Sequence, residues 1–169
     1  MKPEPAPFAS LSPPGATICP GFVIWQLPMS ERHISVNITI QSELAETHRV
    51  QTDIENALQS NGYDEADVFA IRLAVEEALV NAMKHGNQLD PDKQVQVSYS
   101  VTEDRFDIRI VDEGIGFDPN EVPDPTEEMN VERPCGRGVF IIKNVMTSVN
   151  YLERGNIVVM SKLRGVETE

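Results

Sequence analysis

The apolar residues of this chain change their spacing several times, and each change marks an element. In "HISVNITI", Ile34, Val36, Ile38 and Ile40 alternate with polar residues, the period of a half-buried strand. After Gln41-Ser42 the period lengthens. Val50, Ile54, Ala57 and Leu58 recur at helical spacing until Asn61-Gly62 stops them. A second helical pattern runs from about Asp64 to Lys84 through Val68, Ile71, Val75, Leu79, Ala82 and Met83, with His85-Gly86-Asn87 as its stop. Alternation returns in "VQVSYSV" (Val95, Val97, Tyr99, Val101) and in "RFDIRIVD" (Phe106, Ile108, Ile110). Only Thr102, Glu103 and Asp104 separate these two, which predicts a hairpin. "GVFIIKNVM" carries the pattern of a short helix, and "SVNYLER" and "NIVVMSKL" close the chain as a hairpin around Gly155.

Between the third strand and the third helix, Asp118 to Pro134 shows no period and many acids. A loop this long inside a compact domain is usually a functional lid or a disordered region. The order β-α-α-β-β-loop-α-β-β keeps helices apart from hairpins. It predicts an α+β fold, a two-layer α/β sandwich whose mixed, mostly antiparallel sheet of about five strands is covered by three helices.

Composition narrows the class. A length of 169 residues suits one domain with its own core. A formal charge of -13 argues against nucleic-acid binding, which draws its affinity from cationic contacts with phosphates. No apolar run reaches the length of a transmembrane helix. The start, "MKPEPAPFASLSPPGATICPGF", places prolines where a signal peptide needs an apolar helical stretch. Residues 1–28 therefore read as a Pro-rich extension, with at most one short strand in "FVIWQL" and with Phe22 and Trp25 free to dock. Residues 29–169 form the domain. Cys19 and Cys135 stand far apart without metal-ligand spacing, and a reduced, cytoplasmic setting is expected.

Three stretches carry candidate chemistry. In "AVEEALVNAMKHGN", Glu77, Asn81 and His85 fall at i, i+4 and i+8, in one row on an otherwise apolar helix beside the small Ala74 and Ala78. Alone, such a row is more often a solvated polar stripe. Asn81 offers a neutral oxygen to Mg²⁺ while phosphates and waters complete the octahedron. Glu77, one turn earlier, would then sit near a terminal phosphate as a general base. In "DEGIGFD", Asp112 ends a strand and can accept a hydrogen bond from an exocyclic amine, with Gly114 and Gly116 allowing a sharp turn close to a flat ring. A plain Gly-rich turn would look the same. In "CGRGVF", Gly136 and Gly138 precede a helix, whose bare N–H groups could hold phosphate oxygens. Arg137 between them either adds charge there or points to solvent. Neither the P-loop nor the dinucleotide spacing is matched.

Together, and in this order, the stretches resemble the GHKL ATPase/kinase superfamily and its Bergerat ATP-binding fold. "EALVNAMKHGN" resembles the N box, "DEGIGFD" the first glycine box and "GRGVFIIKN" the second. Within that superfamily the chain is most similar to the bacterial anti-sigma factor/serine-protein kinases, over about residues 33 to 164. The resemblance implies ATP and Mg²⁺ as cofactors, with Glu77 as catalytic base, Asn81 as magnesium ligand and Asp112 as the adenine-binding aspartate. Gly114, Gly116 and Phe117 would shape that pocket. Gly136, Arg137, Gly138 and Val139 would bind phosphate at the end of a lid spanning Asp118 to Cys135. His85 and Gly86 match the pocket floor, although His85 could equally be a core histidine. Arg49, on the first helix, matches an arginine presented to the protein partner.

Such a protein would hold a sigma factor inactive and phosphorylate a serine or threonine of a STAS-type antagonist, as a homodimer. The alternative within the same fold is a module that sequesters its partner with ATP and without kinase activity. The Pro-rich extension and the acidic lid, with Glu121, Asp124, Glu127 and Glu128, depart from the family pattern.

Overall fold

The computed structural model describes residues 33–116 and 137–166. The expectations for the Pro-rich extension, for the lid, and for Phe117 and Gly136 lie outside these residues. In chain order the elements are β1 (Ile34–Gln41), α1 (Leu44–Ser60), α2 (Glu65–Val80), β2 (Gln94–Val101), β3 (Arg105–Asp112), α3 (Arg137–Val145), β4 (Ser148–Leu152) and β5 (Ile157–Leu163). They follow the predicted order.

The five strands form one sheet in the order β1-β2-β3-β5-β4, antiparallel at every junction. Two hairpins, β2-β3 and β4-β5, account for most of this, with β5 laid against β3 so that Val111 faces Ile157. The alternation in the sequence sets one face inward. Val36 and Ile40, Val95 to Val101 in steps of two, and Phe106, Ile108 and Ile110 are buried against Val50, Ile54 and Leu58 of α1 and Ile71, Val75 and Leu79 of α2. A fully buried side chain of this size contributes about 1.5–3 kcal/mol. On the other face of β1, Ser35, Asn37, Thr39 and Gln41 are exposed. No helix among the described residues is long and apolar enough to cross a membrane.

α2 starts where the sequence places it, with the Asp64 side chain accepting from the Asp67 N–H at 2.8 Å as an N-cap. Its far end differs from the expected continuous helix. After Val80 the backbone widens into a π-helical turn, Asn81–Gly86, closed by the Asn87 N–H bonding the Ala82 carbonyl five residues back at 2.8 Å. A single π-turn inside a helix is rare and frequently accompanies a functional site. Here it holds most of the predicted N-box residues.

Candidate functional site

The π-turn lies above the end of β3. The inward row of that strand, Phe106, Ile108 and Ile110, continues for one more step and delivers Asp112 to the same buried side, 8% exposed. A carboxylate thus stands at the rim of the core, under the helix layer. Its Oδ1 accepts from the Gly114 N–H at 2.8 Å. Burial pushes the Asp112 carboxyl above the usual carboxylate range, and the Gly114 bond and the charge of Lys93 oppose that shift.

Around Asp112 opens a small cleft, part of it continuous with solvent. Ala78, Asn81, Ala82, His85 and Gly86 form one wall and Ile110, Asp112 and Gly116 another. Tyr151, Gly155 and Val158, from the β4-β5 hairpin, complete it. Small residues on the helix and a strand-end carboxylate leave a mostly apolar slot with few polar groups, the general form of a small-molecule site.

Glycines allow the closeness of these walls, at Gly86, Gly114, Gly116 and Gly138. A Cβ on Gly86 would overlap the Asp112 carboxylate, so the π-turn meets β3 only through a bare backbone. A Cβ on Gly138 would stand 2.5 Å from Glu77 Oε2 and 3.3 Å from Asn81 Nδ2. The first turn of α3 therefore rests directly on the Glu77/Asn81 row. Glu77 and Asn81 are both half-buried there.

Most of the sequence-predicted residues meet at this place. Asn81, His85, Gly86, Asp112 and Gly116 line the cleft, Gly114 bonds Asp112, and Glu77 and Gly138 adjoin it. His85 is exposed and lines the cleft, so it is not a core histidine. Val139 is buried in the packing of α3, and Arg137 is exposed at its start. Arg49 lies outside the cleft lining, on the exposed face of α1, with its guanidinium on the Glu46 carboxylate at 2.5 Å. Glu76, the neighbour of Glu77, points elsewhere and accepts from Gln51 Nε2 at 3.2 Å.

The hairpin wall is what sequence reasoning missed. Tyr151 sits on the alternating face of "SVNYLER" and Gly155 in its turn, features that place them in a hairpin without saying that β5 runs beside β3. Burial raises the Tyr151 hydroxyl to about 12, so it stays protonated at neutral pH.

Comparison with known proteins agrees with this geometry. The family of histidine kinase-like ATPase domains matches residues 40–162. The serine-protein kinase RsbW of Listeria innocua is 32% identical over 111 residues, covering 60% of this chain and 69% of that protein. The anti-sigma F factor of Oceanobacillus iheyensis is 36% identical over 98 residues, covering 54% and 66%. RsbW of Bacillus cereus is 21% identical over a longer stretch, 79% of this chain and 88% of that protein. Among solved structures, one of the RsbU and RsbW domains of a Mycobacterium tuberculosis protein superposes with a TM-score of 0.54 at 14% identity. It covers 79% of this chain, which spans only 33% of that longer one, and it speaks for the fold. With the matched region running from β1 to β5 and holding the whole described cleft, the chain belongs to the histidine kinase-like ATPase family, on the branch of the bacterial anti-sigma factor/serine-protein kinases.

Proposed function

We propose that the cleft binds ATP with Mg²⁺ and that the chain phosphorylates a serine or threonine of a STAS-type antagonist while sequestering a sigma factor in its nucleotide-bound form. The observation that carries this reading is the meeting of Glu77, Asn81 and Gly138 at one side of the cleft that has Asp112 on its wall.

The residues present fit the nucleotide. Asp112 keeps a second carboxylate oxygen for an exocyclic amine, and its apolar surroundings strengthen such a bond. Gly138, open to the row beneath it, lets the N–H groups at the start of α3 approach phosphate oxygens at the positive helix end. Asn81 supplies one neutral oxygen ligand. Mg²⁺ at this site would take its remaining ligands from phosphates and water. When bound, ATP supplies the phosphoryl group, whose transfer is promoted mainly by positioning and charge neutralisation. Glu77, beside the same helix end, would accept the proton of the attacking hydroxyl in this reading.

Homodimer formation and partner contact through Arg49 belong to the same reading. The Arg49–Glu46 pair is exposed, and such pairs contribute little, so the arginine can exchange Glu46 for a partner carboxylate at small cost. The Pro-rich residues 1–28 stand outside the ATP-binding domain in this reading. The test is incubation with labelled ATP, Mg²⁺ and STAS proteins encoded nearby. Label transfer that falls by about a hundredfold or more in Glu77→Gln, with ATP binding kept, is the expected result. Stable partner capture with no transfer in either form would replace the kinase by a sequestering module.

A further inference from the structure

Asn87 directly follows the π-turn and is completely buried. Its amide is engaged on both sides. Nδ2 donates to Ser42 Oγ at 2.7 Å and to the Gln94 carbonyl at 2.9 Å, and Oδ1 accepts from the Glu113 N–H at 2.8 Å. Ser42 Oγ in turn donates to the Lys93 carbonyl at 3.0 Å, and Glu113 Oε2 accepts from the Gln94 N–H at 2.6 Å. One side chain thus ties together the β1-α1 connection, the start of β2 and the end of β3.

The Asp112 carboxylate lies between two chain neighbours of this network. Gly86, the residue before Asn87, lies against that carboxylate, and Glu113, whose N–H Asn87 holds, is the residue after Asp112. Both neighbours of the contact are therefore fixed by the same amide. We propose that Asn87 is a positioning residue for base recognition: it holds the end of β3 against the π-turn and so aims Asp112 at the base edge. This rests on the reading of the cleft as an adenine site. A carboxylate aimed at that edge accepts from the exocyclic amine of adenine and opposes the carbonyl that guanine presents there. Preorganisation of this kind appears as selectivity between bases, whereas a purely structural amide would alter stability alone.

The experiment measures ATP and GTP affinities by calorimetry on the full chain, with melting curves alongside. Three variants are compared: Asn87→Ala, Ser42→Ala, and Ile54→Val as a core change remote from the cleft lining. The parent is expected to prefer ATP. Asn87→Ala is expected to lower the ATP-over-GTP preference about fivefold or more, and Ser42→Ala about twofold, through loss of buried hydrogen bonds that fix the site. Ile54→Val is expected to lower the melting temperature and leave the ratio unchanged. Hydrogen exchange at the Glu113 amide should quicken in Asn87→Ala. An unchanged ratio in a folded Asn87→Ala overturns the proposal. If that variant does not fold, an unchanged ratio in Ser42→Ala does so. A parent that binds neither nucleotide, or shows no preference, instead removes the adenine reading on which the proposal stands.

Discussion

At the N-terminal end of α2 the buried carboxylate of Asp67 is engaged through both oxygens. It accepts from the Gly165 N–H at 2.7 Å and faces Lys162 Nζ at 3.9 Å, both side chains being nearly inaccessible. Lys162 also donates to the Val166 carbonyl, and Arg164 covers Tyr63 at 5.6 Å while bonding the carbonyls of Gly62 and Glu103. At the C-terminal end the buried carboxylate of Asp112 accepts one backbone N–H and otherwise faces a cleft. The same helix carries a closed polar cluster at one end and an open one at the other. The closed cluster stabilises the fold, while the open one keeps hydrogen-bonding capacity that a ligand can complete.

The largest expected effect is at the closed end. Asp67→Ala leaves Lys162 buried without its counter-charge and should cost about 3 kcal/mol or more in denaturant unfolding. Adding Lys162→Met should restore a large part, since an apolar side chain carries no charge to desolvate. Nucleotide affinity, measured where the variants are folded, should stay at the parent value. A matching loss of affinity would join the two ends into one functional unit and dissolve the contrast.

Gly138→Ala tests the open end with the opposite signature. The new methyl would press on Glu77 Oε2, the far end of a flexible side chain, which can move aside. Stability should therefore change little, while transfer falls by about tenfold or more because the displaced carboxylate no longer meets the hydroxyl in reach of its proton. Parent-like transfer would show that α3 does not position Glu77.

Part of the open end was legible in the sequence, while the closed cluster was not, and the illegible part has physical causes. The strand and helix limits followed from changes of period, and the inward direction of Asp112 follows from the row Phe106, Ile108, Ile110. The π-turn was hidden because Ala82 and Met83 continue the α-helical apolar pattern; only the bond from Asn87 to Ala82 reveals the wider turn. Asn87 itself reads as a helix stop, since a polar residue after glycine looks solvated until its three partners, two of them distant in sequence, are seen. The hairpin wall with Tyr151 and Gly155 depends on strand order, which local periodicity does not encode.

The smallest effect sharpens the comparison furthest, because it carries opposite signs for binding and for stability. Asp112→Asn should weaken ATP binding by about tenfold or more, through loss of a charged acceptor in a buried site. The same change should stabilise the ligand-free protein at neutral pH. Burial raises the Asp112 pKa above its ordinary 3.8, so ionisation costs the folded state more than the unfolded one. An asparagine keeps the oxygen that accepts from Gly114 and carries no charge to desolvate, so the variant gains stability. Because the parent loses stability as pH rises through the folded-state pKa, the gain of the variant is full above that value. It shrinks as the carboxyl protonates and vanishes below pH 3.8. Melting curves from neutral to acidic pH measure the difference directly. A variant less stable than the parent at neutral pH would mean that the charge of Asp112 is compensated within the fold, as that of Asp67 is, and that the open end is closed after all.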